Sequence, residues 1–309
     1  MVRRQQYCGA YVLLTAAYNE EAYIERTIQS VVSQTLRPRR WVIVDDDSTD
    51  RSGQIVQSYA EKHDFIKLLR VTKKAGHSFA AKVVALRKGE ELLRGLEYDF
   101  IGNLDADLSL EHRYFEELIR HFLAHPELGL AGGFVYEDDG NGFRGRWFNS
   151  VSNVSHAAQL VRRQCYEGIG GYAVLKYGGE DWYAQTCAKM KGWQVESIPR
   201  LKIFHHRHTG ASSHPIRNAF RLGRLDYSFG SDPMFEVVKC LRRLKERPRF
   251  VAAMTRLLGF AWCYLSGEEK AVPAEFAAYL RKEQRSRVSS LFSTQTFRFS
   301  LRSSNRQVP

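Results

Sequence analysis

Strand-like and helix-like segments alternate four times within the first 110 or so residues of this chain, and that alternation leaves few folds open. The apolar run Tyr11–Ala16 predicts a buried strand. Glu20–Gln34 follows with Ile24, Ile28, Val31 and Val32 at helical spacing. Trp41–Val44 and Ile66–Val71 predict two further strands, with a helix between them to about Lys62. A helix over about Phe79–Arg94 then leads into a strand ending at Asp105. Parallel strands need a crossover, and the predicted helices supply one each time. The pattern therefore predicts an α/β fold with a mostly parallel sheet flanked by helices on both faces. In such folds ligands bind beyond the carboxyl ends of the strands.

Polar clusters stand at those ends: Ala17-Tyr18-Asn19-Glu20, Asp45 to Asp50, and Asp105-Ala106-Asp107. Strand alternation sends Asp105 and Asp107 to one side. Two hard oxygen donors there suit a divalent cation that also holds phosphate oxygens. The same residues suit a solvated loop in which Asp107 caps the next helix. Gly76–Lys82 opens a helix whose free N–H groups and Lys82 could face a phosphate, or Lys82 is simply exposed. Glu180-Asp181 begins a predicted helix to Lys191, and His205, His206 and His208 follow a short strand.

The remainder reads as a strand over Leu130–Tyr136, a flexible loop over Glu137–Arg146, a short helix over Arg162–Gly168, and short strands over Gln194–Ser197 and Leu201–Phe204. Helices are predicted over Met234–Arg247, Phe250–Leu265 and Pro273–Arg287, and a mobile tail over Ser289–Pro309. These divide the chain into a catalytic domain over 1–215, a helical extension over 216–288 and a tail over 289–309.

The formal net charge is +12, and residues 207–309 alone carry 19 Lys and Arg against 8 Asp and Glu. Such a basic block points to an anionic partner: a membrane surface, a polyphosphate-bearing substrate or nucleic acid. Phe250–Leu265 is apolar but broken by Thr255, Arg256 and Gly259. It fits a membrane-interfacial element flanked by Arg242, Arg243, Lys245, Arg247 and Arg249, and equally a helix buried against the rest of the protein. No run reaches the ~18 apolar residues of a spanning helix, and no apolar stretch follows the basic Met1–Gln6, so no secretory signal is expected. Five widely spaced cysteines without metal-like spacing fit a reduced, cytoplasmic protein.

Thr15-Ala16-Ala17-Tyr18-Asn19-Glu20-Glu21, Val44 to Asp50, Leu104-Asp105-Ala106-Asp107 and Gly179-Glu180-Asp181-Trp182 occur in that order. Together they resemble a family 2 glycosyltransferase of the Rossmann-like GT-A fold, of the bacterial polysaccharide-assembly type, over about residues 10–210. The resemblance implies inverting, metal-dependent sugar transfer from a nucleotide-sugar donor, UDP-linked, to a hydroxyl of a glycan or lipid-linked acceptor, with peripheral contact at the cytoplasmic membrane face. It places Thr15, Ala17, Tyr18, Glu20, Asp45, Asp46, Lys82 and Asp105 on the donor nucleotide. Asp105 and Asp107 would hold Mn²⁺ or Mg²⁺, with a third ligand from His205, His206 or His208, His206 being preferred. Asp181 would be the catalytic base, kept ionised by the helix N-terminus rather than tuned upward. Glu180 and Trp182 would lie on the acceptor side, and His156 and Gln159 would reach the donor sugar. The family has Gly where this chain has Asp47, which leaves the turn's geometry open. The alternatives are a nucleotidyltransferase on a similar sheet, which lacks its expected Gly-rich loop here, and a basic nucleic-acid-binding protein, for which no recognisable module is present.

Overall fold

Tyr11–Ala17 (β1), Arg40–Asp45 (β2), Ile66–Arg70 (β3) and Phe100–Leu104 (β4) are the four strands the alternation predicts, and they pair in parallel in the order β3-β2-β1-β4. This computed structural model describes residues 9–72, 80–146, 148–207, 214–244 and 250–304, with side chains to Ser290. The helices Ile24–Val32 (α1), Ser52–Ala60 (α2) and Ala81–Glu90 (α3) make the crossovers. Two cores result. Leu13, Trp41, Ile43 and Phe100 pack on one face of the sheet with Ile24 and Ile28 of α1. Val12, Leu14, Val42 and Ile101 pack on the other with Val83 and Leu86 of α3. Central strands buried on both faces read as unbroken apolar runs, which is why these four are legible.

Beyond β4 the sheet becomes mixed. Leu108–Leu110 (β5), the helix Tyr114–Ala124 (α4), Leu128–Asp138 (β6), Phe143–Gly145 (β7), Ala158–Arg162 (β8), the helices Arg163–Ile169 (α5) and Glu180–Met190 (α6), and Gln194–His205 (β9) complete it. β8 runs antiparallel between β4 and β6, β9 pairs in parallel with β6, and β5 pairs antiparallel with β9. The expected loop over Glu137–Arg146 is instead a hairpin, with β7 folding back on β6. The two strands expected over 194–204 are one. Its register against β6 shifts between Gly133 and Phe134, which pair with Ile198 and Lys202, so Pro199-Arg200-Leu201 bulge out without ending the strand.

The chain forms two compact units, Met1–Ala211 and Ser212–Pro309. The second is helical: Pro215–Ser228 (α7), Pro233–Arg242 (α8), Val251–Leu265 (α9) and Ala274–Ser304 (α10). α10 stays helical to Ser304, past the point at 289 where the sequence suggests a separate tail. α7 and α9 cross at glycines, where a Cβ on Gly223 would lie 1.9 Å from the Arg256 carbonyl oxygen and one on Gly259 would lie 2.2 Å from that of Phe220. Arg256 turns inward at this crossing, 2.6 Å from Asp226 and 3.2 Å from Glu236, and Lys239 completes the cluster 2.8 Å from Asp226. Asp232 caps α8 by accepting from the Met234 N–H at 2.9 Å, with Pro233 in the first turn. No described helix is long and apolar enough to cross a membrane.

Candidate functional site

The loops after β1 and β2 are laced together. Asn19 Oδ1 accepts from the Thr49 N–H at 2.9 Å, the Asn19 N–H donates to Ser48 Oγ at 3.0 Å, the Glu20 N–H to Ser52 Oγ at 2.7 Å and the Glu21 N–H to Asp50 Oδ2 at 3.0 Å. Asp47 sits at φ 68°, in the left-handed region a glycine would occupy freely.

Thr15 and Ala17, expected at the nucleotide, both turn their side chains into the sheet's core. Thr15 is fully buried. Its hydroxyl donates to the Leu104 carbonyl at 2.6 Å and accepts from Trp41 Nε1 at 2.9 Å, tying β1 to β4. Ala17 lies in the same core, because alternation puts it on the face that Thr15 occupies. Tyr18, the next residue, is exposed. Asp45 and Asp46 are both buried at the end of β2, where Asp45 Oδ1 accepts from the Ser48 N–H at 3.1 Å and shapes its own turn.

The Asp105-Ala106-Asp107 turn connects β4 to β5, and each carboxylate meets a different set of groups. Asp105 Oδ1 accepts from Lys82 Nζ at 2.6 Å and Asn103 Nδ2 at 3.2 Å. Lys82 is therefore a buttress of this turn and not a free surface lysine. Its pKa stands above the usual lysine value: burial works against the charge, but Asp105, Glu180 and Asp181 outweigh it. Gly76–Phe79, expected to open its helix, lie outside the described residues.

Asp107 Oδ1 lies 3.2 Å from His205 Nε2 and its Oδ2 lies 3.6 Å from Arg207 Nε. Burial opposes the charge on Asp107, yet His205, Arg207 and Lys82 hold its pKa below the usual value. Arg207 also binds Glu20 through an Nη2–Oε2 ion pair. Burial, and then the charge of Asp107, push Glu20 up to about 7.

His206 is the preferred metal ligand from the sequence, but it is His205 that faces Asp107. β5 pairs Leu108 with His205, so His205 faces Asp107. One residue on, His206 Nε2 meets Ser109 Oγ at 2.9 Å and its ring stacks near Tyr23. His208 lies outside the described residues.

Gly178 and Gly179 take φ of 80° and 89°, and this left-handed pair delivers Glu180 and Asp181 to the first turn of α6. Asp181 Oδ1 accepts from the Trp182 N–H at 2.7 Å. Its pKa is raised to about 6 by burial and then by Glu180, so the expectation of an untuned carboxylate is also corrected: desolvation outweighs the helix terminus. His156 Nδ1 stands 3.6 Å from Glu180 Oε1, and burial keeps this imidazole neutral, with its pKa well below the usual value. Gln159 is buried inside the sheet, where its Nε2 donates to Tyr172 Oη at 2.7 Å. Trp182 is half-buried in the first turn of α6, and Trp193 packs on the second core.

Sequence reasoning left out Arg207 as the bridge between Glu20 and Asp107, and Asn103. Asn103 precedes Asp105 by two residues on the same strand face, and its Nδ2 also donates to the His156 carbonyl. That parity was the available signal. Glu20, Lys82, Asp105, Asp107, Glu180 and Asp181 thus form one electrostatic neighbourhood, in which Lys82 touches the Asp105 side and acts on the Glu180–Asp181 side. Among the described residues no three His, Cys, Asp or Glu side chains already converge on a single metal position. Asp105, Asp107 and His205 nevertheless offer oxygen and nitrogen donors of the kind a Mn²⁺ or Mg²⁺ ion takes, and His205 Nδ1 is buried with no partner.

Residues 13–177 match the family model described as Glycosyl transferase family 2. Similar proteins include the probable glycosyltransferase YdaM of Bacillus subtilis, 26% identical over 182 residues, covering 52% of this chain and 42% of the relative. The poly-β-1,6-N-acetyl-D-glucosamine synthase of Staphylococcus epidermidis is 30% identical over 129 residues, covering 42% of this chain and 29% of the relative. The chain thus spans less than half the length of these curated relatives. Among solved structures, the mannosyltransferase PcManGT from Pyrobaculum calidifontis in complex with GDP-Man and Mn²⁺ superposes with a TM-score of 0.52 at 19% identity, covering 93% of this chain and 83% of that one. S. aureus TarS in complex with UDP-GlcNAc gives 0.53 at 15% identity, covering 88% and 78%. At these identities the likeness is one of fold, and the fold is GT-A.

Proposed function

This chain belongs to glycosyltransferase family 2, and from that premise we propose that it is an inverting enzyme that moves a sugar from a UDP-linked donor to a hydroxyl of a glycan or lipid-linked acceptor in polysaccharide assembly. Transfer from a nucleotide sugar follows from the family. The donor base, the acceptor and the mechanism are the proposal. The nucleotidyltransferase and nucleic-acid-binding alternatives give way to the family match.

One observation carries the mechanism: Asp181 stands half-buried beside Glu180 in the first turn of α6, where desolvation raises its pKa to about 6, and Lys82, paired with Asp105 at 2.6 Å, also acts on it. A base with that pKa is ionised near neutral pH and still takes a proton readily. The acceptor oxygen attacks the anomeric carbon from the face opposite the phosphate and gives its proton to Asp181. The bond from the anomeric carbon to the phosphate oxygen breaks, and the nucleoside diphosphate leaves with the electron pair. Single displacement inverts the anomeric configuration.

Asp105, Asp107 and His205 are the residues that would hold Mn²⁺ or Mg²⁺, which supplies electrostatic stabilisation of the leaving diphosphate when bound. Lys82 and Arg207 already neutralise these carboxylates, and either cation can turn toward phosphate oxygens as the donor enters. Glu180 orients the acceptor, and Asp46, Tyr18 and Glu20 serve the nucleoside side of the cleft.

The test pairs binding with turnover. Asp181→Asn should abolish transfer while UDP still raises the unfolding temperature, and UDP-sugars should stabilise the protein more than GDP-sugars in the presence of Mn²⁺. Near-normal turnover of Asp181→Asn would remove Asp181 from the base role.

A further inference from the structure

The second unit is built inside out along two of its helices. Arg256, the one charged residue of α9, is turned into the bundle against Asp226 and Glu236. The opposite side of α9 carries Val251, Met254, Leu258, Trp262 and Leu265, spaced by three and four residues, and each is exposed, from 46% for Val251 to 83% for Leu265. α8 repeats the arrangement: Glu236 and Cys240 point in, while Met234, Val237 and Leu241 are exposed. Scattered surface leucines are ordinary, but an unbroken apolar stripe on each of two successive helices, with Glu236 and Arg256 turned into the bundle, marks a surface that water does not cover in use.

We propose that this face of α8 and α9 is a peripheral docking surface for an anionic lipid bilayer. α9 has 15 residues, so it is about 22 Å long and falls short of the ~30 Å hydrocarbon core. It lies in the interface and does not span. Trp262 and Tyr264, 60% and 67% exposed, have the amphipathic rings that settle at the headgroup level. Charge selects the occupant. Arg242 is exposed at the end of α8. Residues 207–309 as a whole carry 19 Lys and Arg against 8 Asp and Glu. Basic residues beside an apolar stripe are attracted to anionic headgroups, at a distance set by salt. A second copy of this chain is a poor occupant, since each copy carries a net charge of +12. The inference stands on the second unit alone and does not depend on the chemistry of the first.

Co-sedimentation with vesicles of phosphatidylcholine, with and without phosphatidylglycerol, tests it on the full chain. The protein should partition to the anionic vesicles and be released by salt. Leu258→Gln combined with Trp262→Gln and Leu265→Gln should weaken partitioning at least tenfold. Because these side chains are exposed, the unfolding temperature should be unchanged. Arg242→Glu should weaken it further and flatten the salt dependence. The proposal is overturned if the wild type ignores phosphatidylglycerol, or if the triple variant binds as well as the wild type. It is equally overturned if sedimentation equilibrium shows a dimer that the triple variant disperses, which would make a second copy the occupant.

Discussion

Lys82 Nζ lies 2.6 Å from Asp105 Oδ1, and the same ammonium also interacts with the charges of Glu180 and Asp181. It thus links Asp105, on the proposed diphosphate side, to Asp181, the proposed base. Lys82→Met should therefore do two things. It should weaken UDP binding, and it should let the Asp181 pKa climb above its present value of about 6, because Lys82 lowers it. The rate of transfer rises with pH as the base deprotonates, so the acid limb of the profile should move to higher pH, on the order of one unit. Lys82→Arg should restore most of the original limb. An acid limb that stays in place in Lys82→Met would mean that the two sides of the cleft are not coupled.

Burial of Asp181 should also be visible in stability. Its folded pKa of about 6 lies above its ordinary value of 3.8, so its contribution to stability is fully present below about pH 4 and is lost as pH rises through about 6. Asp181→Asn keeps the position neutral at every pH. The variant should be more stable than the wild type at pH 8, on the order of 2 kcal/mol, and the gap should close near pH 4. Paired thermal unfolding at the two pH values reads this directly. A gap that does not vary with pH would show that the carboxylate is better solvated than its surroundings indicate. A gain of stability with loss of turnover is the usual signature of a strained catalytic group.

The first half of the sheet and the carboxylate clusters were legible because fully buried parallel strands write themselves as apolar runs, and because the polar residues at their ends break those runs sharply. Ala158–Arg162 was missed for the opposite reason. It is a short strand containing Gln159 and Arg162, and only the tertiary fold buries them, with Arg162 Nε donating to the Leu128 carbonyl at 3.0 Å. Pro199 and Arg200 look like a strand break and are a bulge, since a partner strand can hold register across an interruption that local propensity cannot see. Within the site, the same parity turns Thr15 into the core and His206 away from Asp107. A motif in sequence fixes which residues reach a strand end, but the face each one takes depends on which neighbour it pairs with. The Asp181 pKa was misjudged because a helix terminus can be read from sequence and desolvation cannot.

Parity also separates the histidines experimentally. His205→Ala should reduce the additional stabilisation that Mn²⁺ gives to the UDP complex, because His205 faces Asp107. His206→Ala should leave that increment intact and cost only local contacts, the Ser109 hydrogen bond, worth about 1 kcal/mol, and the ring contacts with Tyr23 and Phe143. Thermal shift with UDP, with and without Mn²⁺, distinguishes the two. The reverse pattern would restore His206 as the ligand.

Asp47 provides a test of the β2 turn that leaves the chemistry aside. It is exposed, and its φ of 68° is one that a side chain tolerates poorly, Asp and Asn least badly. Asp47→Gly removes the steric cost of the left-handed conformation and adds backbone freedom to the unfolded chain. These oppose each other, so stability should change by less than about 1 kcal/mol and UDP binding should persist. Asp47→Val places a β-branched residue in the same conformation and should destabilise by about 1–2 kcal/mol. Because the Asn19–Thr49 and Ser48–Asn19 bonds hang from this turn, UDP binding should fall with it. Denaturant unfolding of the two variants checks the order. If Asp47→Val were as stable as Asp47→Gly, the turn would have to relax out of the left-handed region, and the loops after β1 and β2 would no longer be held in register by it.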